Sequence, residues 1–180
     1  MQTVLKQIRN EIARLVIQDP FLATIVLSLK IEVTNDPSIA AGTDGVRLVI
    51  NEDFWNSLTR AQKRTLIAHE ALHIANCHDL RKRGREHRLW NASCDYAINH
   101  HLVGATYEFP PEGCTDAENM NRFAGRSAEY IYKTLGDEQR QEEEEQEDES
   151  PDQQSPDQQE GEDDSPASQG DQGDQSDQGD

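Results

Sequence analysis

Apolar residues recur at helical spacing from the start of the chain. Val4, Leu5, Ile8, Ile12, Leu15 and Val16 form one stripe with Lys, Arg and Glu between them, which predicts a helix over 3–17. Asp19-Pro20 ends that pattern and opens a second short helix from Pro20 to about Leu29, since proline fits the first helical turn but not the interior. The period then changes. In "KIEVTND" Ile31 and Val33 alternate with polar residues, a strand that Asp36-Pro37 ends. Asp44-Gly45 is a turn signal, and the β-branched stretch Val46–Asn51 predicts a further strand.

Helical spacing resumes after Thr59. Thr59 and Gln62 have the spacing of a capping box, which starts a helix near Arg60 that runs to about Cys77. The basic connector "DLRKRGRE" leads to another helical stretch, about 86–102. Gly104 and Pro110-Pro111 open an irregular segment, and "SAEYIYKTLG" closes the body as a helix with Ser127 as N-cap and Gly136 as C-cap. The expected fold class is α+β, mostly helical with a small N-terminal β-sheet.

Composition divides the chain into a domain over 1–136 and a tail over 137–180. Of 35 acidic residues, 19 follow Gly136, where Arg140 is the lone base, so the first 136 residues hold 16 acids and 16 bases. The net charge of −18 therefore belongs to the tail. The tail carries the repeats "SPDQQSPDQQ" and "QGDQGDQSDQGD", no aromatic residue, and Ala167 as its lone hydrophobe. Such a segment cannot bury enough surface to offset its ordering entropy, so the tail is expected to be disordered.

A neutral body shows no bulk bias toward nucleic acid, and none is expected as a partner. Arg81, Lys82, Arg83, Arg85 and Arg88 make a local basic patch, read as a solvated connector. The three cysteines, Cys77, Cys94 and Cys114, are an odd number without a disulfide-framework spacing, which favours a reducing, cytoplasmic setting. No C-x-x-C pair is present, so they read as small buried hydrophobes rather than metal ligands. The longest uncharged run near the N-terminus, "PFLATIVLSL", is too short to span a bilayer, and no membrane association is expected.

Candidate chemistry sits in "LIAHEALHIANCH". His69 and His73 lie about 40° apart around a helix and point the same way, a spacing at which two imidazoles bind one ion. Glu70 lies beside the first histidine, where its carboxylate reaches a metal-bound water without replacing it. Zinc would lower the pKa of that water, and the carboxylate would take its proton as the water attacks a carbonyl. Two histidines do not close such a site. The pattern with a third histidine fails, because Asn76 and Asp79 stand where Gly and His are required. On a continuous helix His78 would lie about 180° from His69, which suits it to the helix C-terminal dipole.

A better third ligand lies in "LWNASCDYAINHH". Asn91, Asp95 and Asn99 share one face of an otherwise apolar helix, and Asp95 is costly to bury there unless it is paired or binds a metal. Glu86, His87, His100 and His101 compete for the role, although His100 and His101 lie more than about 100° from Asp95 around the helix. Tyr96, Tyr107, His87 and Arg88 are candidates to stabilise an oxyanion, and the spacing does not choose among them. Strand Val46–Asn51 precedes the motif helix, and a peptide could add to its edge, or it could be an ordinary core strand.

Taken together, "DPFLATIVLSL", "DPSIAAGTDGVRLVINEDF", "LIAHEALHIANCH", "RLWNASCDYAIN" and "RFAGRSAEYIY" resemble the bacterial and phage putative metallopeptidase domain, over roughly residues 10–135. That zincin-like family often stands upstream of a von Willebrand A-like domain, and none follows in this sequence. The resemblance implies a zincin-like fold, Zn2+ as cofactor, His69, His73 and Asp95 as ligands, Glu70 as catalytic glutamate, and a protein or peptide substrate. The competing expectation is a non-catalytic, metal-stabilised scaffold whose acidic tail binds a basic protein partner. An intact Glu70 favours the enzyme.

Overall fold

The structure, a computed structural model, describes residues 2–105, 107–110 and 116–148. The described residues are mostly helical, with one small three-stranded sheet. Helix α1 (Gln2–Gln18) buries Val4, Ile8, Ile12 and Leu15, the stripe that its periodicity marks. Asp19 then turns the chain, its side chain accepting from the Leu22 amide at 3.1 Å, and Pro20 opens α2 (Pro20–Leu27). Both helices pack against α4 (Arg60–Ala75), so Ile8, Leu15, Val26, Ile67, Ala68 and Ala71 meet in the main core.

Strands β1 (Lys30–Thr34), β2 (Ala41–Thr43) and β3 (Arg47–Asn51) form the sheet in the order β1-β3-β2. β3 pairs parallel with β1, Lys30 facing Arg47, and antiparallel with β2, Ala41 facing Ile50. The β2–β3 hairpin closes at Asp44-Gly45. The Asp44 carboxylate accepts the amides of Val46 and Arg47 at 2.9 and 2.7 Å, and Gly45 takes φ +82°, a region where side chains are strained. The strand expected over Val46–Asn51 is therefore a core strand. Both of its edges are paired, so it offers no edge to a peptide; that place falls to β2, whose three residues show no alternation to betray them.

Asn51 ends the sheet and caps α3 (Glu52–Ser57), accepting from the Phe54 amide at 2.9 Å. The Thr59–Gln62 capping box is present, and the Gln62 side chain also donates to the Phe109 carbonyl at 3.3 Å. α4 stops at Ala75, two residues before its expected end. Cys77 adopts φ 52°, in the left-handed region, and the chain re-enters a helix as α5 (His78–Lys82). Cys94 is buried as expected, whereas Cys77 is exposed at this break.

α6 (His87–Gly104) begins at Glu86, whose carboxylate accepts the amides of Arg88 and Leu89 at 2.8 and 2.6 Å. Its Trp90 and Cys94 form a second core cluster with Ala128 and Tyr132 of α8 (Ala128–Asp148). α7 (Ala117–Arg122) packs beside α6. The basic connector is more than a solvated link. Arg81 donates to Glu129 at 2.9 Å, and the Arg85 guanidinium lies over the rings of Trp90 and Tyr132 at 4.8 and 5.6 Å, so both strap the α5 region to α6 and α8.

Ser127 opens α8 as expected, accepting from the Tyr130 amide at 3.3 Å. Gly136, expected as a C-cap, lies inside α8, which continues through the start of the acidic segment to Asp148. The physical reason lies in side-chain contacts: Arg122 donates to Glu138, and Arg140 reaches back to Asp137 and to the Gly136 carbonyl, so ion pairs carry the helix past the glycine. The rest of the expected disordered tail, 149–180, lies outside the described residues, as do Cys114 and Pro111.

Candidate metal centre

α4 uses opposite sides for different purposes. Ile67, Ala68 and Ala71 are sealed in the core, while His69 and His73, one turn apart, face α6. The α4 Nε2 atoms of these two histidines lie 2.9 Å apart. Asp95 reaches across from α6, its Oδ1 at 3.3 Å from His69 Nε2 and 3.1 Å from His73 Nε2. Among the described residues, no other three His, Cys, Asp or Glu side chains converge in this way.

Each of the three has its outer atom engaged. His69 Nδ1 donates to Asn99 Oδ1 at 2.9 Å, His73 Nδ1 lies 3.1 Å from His78 Nδ1, and Asp95 Oδ2 accepts from Asn91 Nδ2 at 3.3 Å. The stripe Asn91–Asp95–Asn99 thus supplies one inward carboxylate and two amides that hold acid and histidine in place.

The donor set fits a metal ion. Asp95 Oδ1 is buried and receives no hydrogen bond, although the carboxylate is costly to bury unpaired. With the histidine protons placed on Nδ1, both Nε2 lone pairs point at the same region as that oxygen. Zinc bonds of about 2.0–2.1 Å in a tetrahedron would place ligand atoms about 3.3 Å apart, close to the triangle observed. The charges agree. Burial would raise the Asp95 carboxyl, but the close approach of the His69 and His73 rings holds it down at about 2. Burial would lower His69, yet the Asp95 carboxylate raises it. His78 is pushed down to about 3, by burial first and by His73 and Arg81 next, and is neutral.

The triangle opens on a cavity of about 650 Å³. Glu70, 7 % exposed, lines it from α4, and Ser38 through Thr43 line it from the β2 side. Phe54, Leu66, Phe109 and Pro110 add apolar wall. Of the competing candidates, His87 borders the cavity without joining the His69–His73–Asp95 group, and the others are engaged elsewhere. Glu86 is spent capping α6, and His100 accepts from the Gly125 amide at 3.2 Å with its ring 3.7 Å from that of His101. Among the oxyanion candidates, His87 alone borders the cavity. Tyr96 packs on Phe123, Tyr107 packs on the main core and Arg88 is exposed outside it.

His78 is the residue the sequence misplaced. A continuous helix carries position 78 away from His69, and the left-handed turn at Cys77 brings it back. The only signal was Asn76-Cys77 after the last apolar position, and asparagine at a helix end is weak evidence.

A mostly helical domain thus brings together, in the lining of a cleft, a His-His-Asp group that could hold a metal ion. The model of the putative metallopeptidase domain family matches residues 5–180, and the chain belongs to that family. No curated protein and no solved structure matches it.

Proposed function

We propose that this protein is a zinc-dependent peptidase, with His69, His73 and Asp95 as metal ligands and Glu70 as general base. The observation that carries this reading is the convergence of His69 Nε2, His73 Nε2 and the unbonded Asp95 Oδ1 within 3.3 Å of one another, at the floor of a cleft that Glu70 lines. A zinc ion held there supplies Lewis acidity to a carbonyl and to water.

The chain's own residues do the rest. Asn99 holds the His69 ring, and Asn91 holds the Asp95 carboxylate, so the inward-facing atoms are preorganised. Glu70 accepts the proton of the attacking water on a carboxylate oxygen and delivers it to the departing amide nitrogen. The substrate is a protein or peptide in extended form. β2 pairs with β3 on one side, and an extended chain lying against its other edge, along Ala41–Thr43, would cross the cleft and gain backbone hydrogen bonds.

No described helix is long and apolar enough to cross a membrane, and Cys77 and Cys94 are free thiols. We place the enzyme in the cytoplasm, where thiols stay reduced. The test is incubation of purified protein with a peptide library, read by mass spectrometry, before and after chelation and zinc re-addition. Cleavage should vanish with chelator and return with zinc. Zinc-loaded protein that cuts nothing, or cleavage indifferent to chelator, contradicts the reading.

A further inference from the structure

His78 is a buried polar side chain that the peptidase reading leaves without a task. It is 4 % exposed, and its Nδ1 stands 3.1 Å from His73 Nδ1, with the rings edge to face at 5.0 Å. Three elements place it there. The left-handed turn at Cys77 ends α4 and makes His78 the first residue of α5. Trp90 of α6 donates from Nε1 to the His78 carbonyl at 3.0 Å. Arg81 donates to the Asn76 carbonyl at 2.8 Å and to Glu129 of α8 at 2.9 Å, which fixes α5 from the other side.

The proton positions follow from the geometry. His73 Nε2 faces His69 and Asp95, so a metal there needs the His73 proton on Nδ1. That N–H points at His78 Nδ1, which must then be the acceptor, with the His78 proton on Nε2. A ligand histidine commonly relies on such a partner for its tautomer and ring orientation. Asn99 fills this place for His69, and no asparagine of the α6 stripe does so for His73.

We propose that His78 is a positioning residue that accepts the Nδ1–H of His73 and so presents His73 Nε2 to the metal. This rests on His73 being a metal ligand. It also gives the Cys77 turn a purpose, since a straight α4 would leave His73 without that acceptor.

The test compares His78→Leu with His78→Asn in the full chain. The two replacements have the same branched shape and the same number of side-chain heavy atoms, and asparagine keeps an acceptor oxygen close to the place of Nδ1. Zinc affinity is read by chelator competition, and ligand geometry by the visible absorption of the cobalt-substituted protein. His78→Leu should lose about 10–100-fold in affinity, with shifted cobalt bands, and His78→Asn should restore both toward wild type. A leucine variant that binds zinc as tightly as wild type with unchanged bands overturns the proposal. So does an equal loss in both variants, which would show that the ring and not the acceptor matters. Wild-type protein that binds no zinc overturns the ligand reading itself and the proposal with it. Should His78→Leu fail to fold, His78→Ala takes its place in the comparison, and a folded His78→Asn that has lost the metal overturns the proposal alone.

Discussion

Asn99 on α6 accepts a hydrogen bond from Nδ1 of His69 on α4, at 2.9 Å. The contact joins the two helices that carry the candidate ligands, and it selects the tautomer that leaves His69 Nε2 free. One turn earlier on the same face is Asp95, and one turn before that is Asn91, which donates to Asp95 Oδ2. Replacing Asn99 by Leu keeps the branched shape and removes the acceptor. Zinc affinity should fall about 10–100-fold, read by chelator competition, and an unchanged affinity would show that the bond does not position His69.

Asp95 supplies the anionic donor. Asp95→Asn keeps the shape but offers zinc a neutral amide, so the metal should be bound more weakly. Since zinc would bind the folded chain and not the unfolded one, saturating wild type at about 100 times the dissociation constant should add about 2.7 kcal/mol of stability. Chelation should reverse it. A melting temperature that responds to zinc in wild type and not in Asp95→Asn is the expected outcome of a thermal-shift experiment. An equal response in both places the metal elsewhere.

Gly136 distinguishes a helix that stops from one that continues. At a C-cap glycine takes positive φ, and alanine there would destabilise. In this structure Gly136 lies within α8, and a Cβ added there meets Leu89 Cδ2 at 3.4 Å, ordinary contact. Gly136→Ala should therefore stabilise by about 0.5–1 kcal/mol. Denaturant unfolding measures it, and a loss of stability would return the helix end to residue 136.

The Arg81–Glu129 pair gives a pH dependence of known sign. Hydrogen bonding from Arg81 holds the Glu129 carboxyl at about 2. A carboxyl depressed in the folded state stabilises above its unfolded value and loses that contribution as pH falls through its folded value. Glu129→Gln should thus be less stable than wild type near neutral pH, by less than about 1 kcal/mol because the pair is partly exposed. The gap should close as pH drops from about 4.5 toward 2. A gap that stays constant over that window would mean that the pair is not the cause.

What could be read in the residues was what rests on local periodicity. The stripe of α1, the Thr59–Gln62 box and the one-turn spacing of His69 and His73 are each set by neighbours three or four positions away. The Asn91–Asp95–Asn99 face was legible for the same reason, but its spacing left Asp95 one candidate ligand among several, and the family resemblance singled it out. What failed rests on pairing at a distance or on single backbone angles. β2 is three residues, "AGT", made a strand by β3 rather than by its own pattern. His78 was assigned to the wrong side because one φ at Cys77 changes the direction of everything after it. Gly136 reads as a stop signal by type, and the ion pairs that carry α8 past it involve Arg122, which is distant in sequence.

The central claim is metal-assisted peptide hydrolysis with Glu70 as the base, and Glu70→Gln tests it most directly. The substitution keeps the size of the side chain and the three candidate ligands, but removes the proton acceptor. Wild type and variant, both loaded with zinc and both checked for folding, are given the same denatured-protein or peptide library, and cleavage is followed by mass spectrometry. The account predicts zinc content equal to wild type and cleavage slower by about 10²–10⁴-fold, the usual cost of removing a general base. Equal cleavage by the zinc-loaded variant would contradict it.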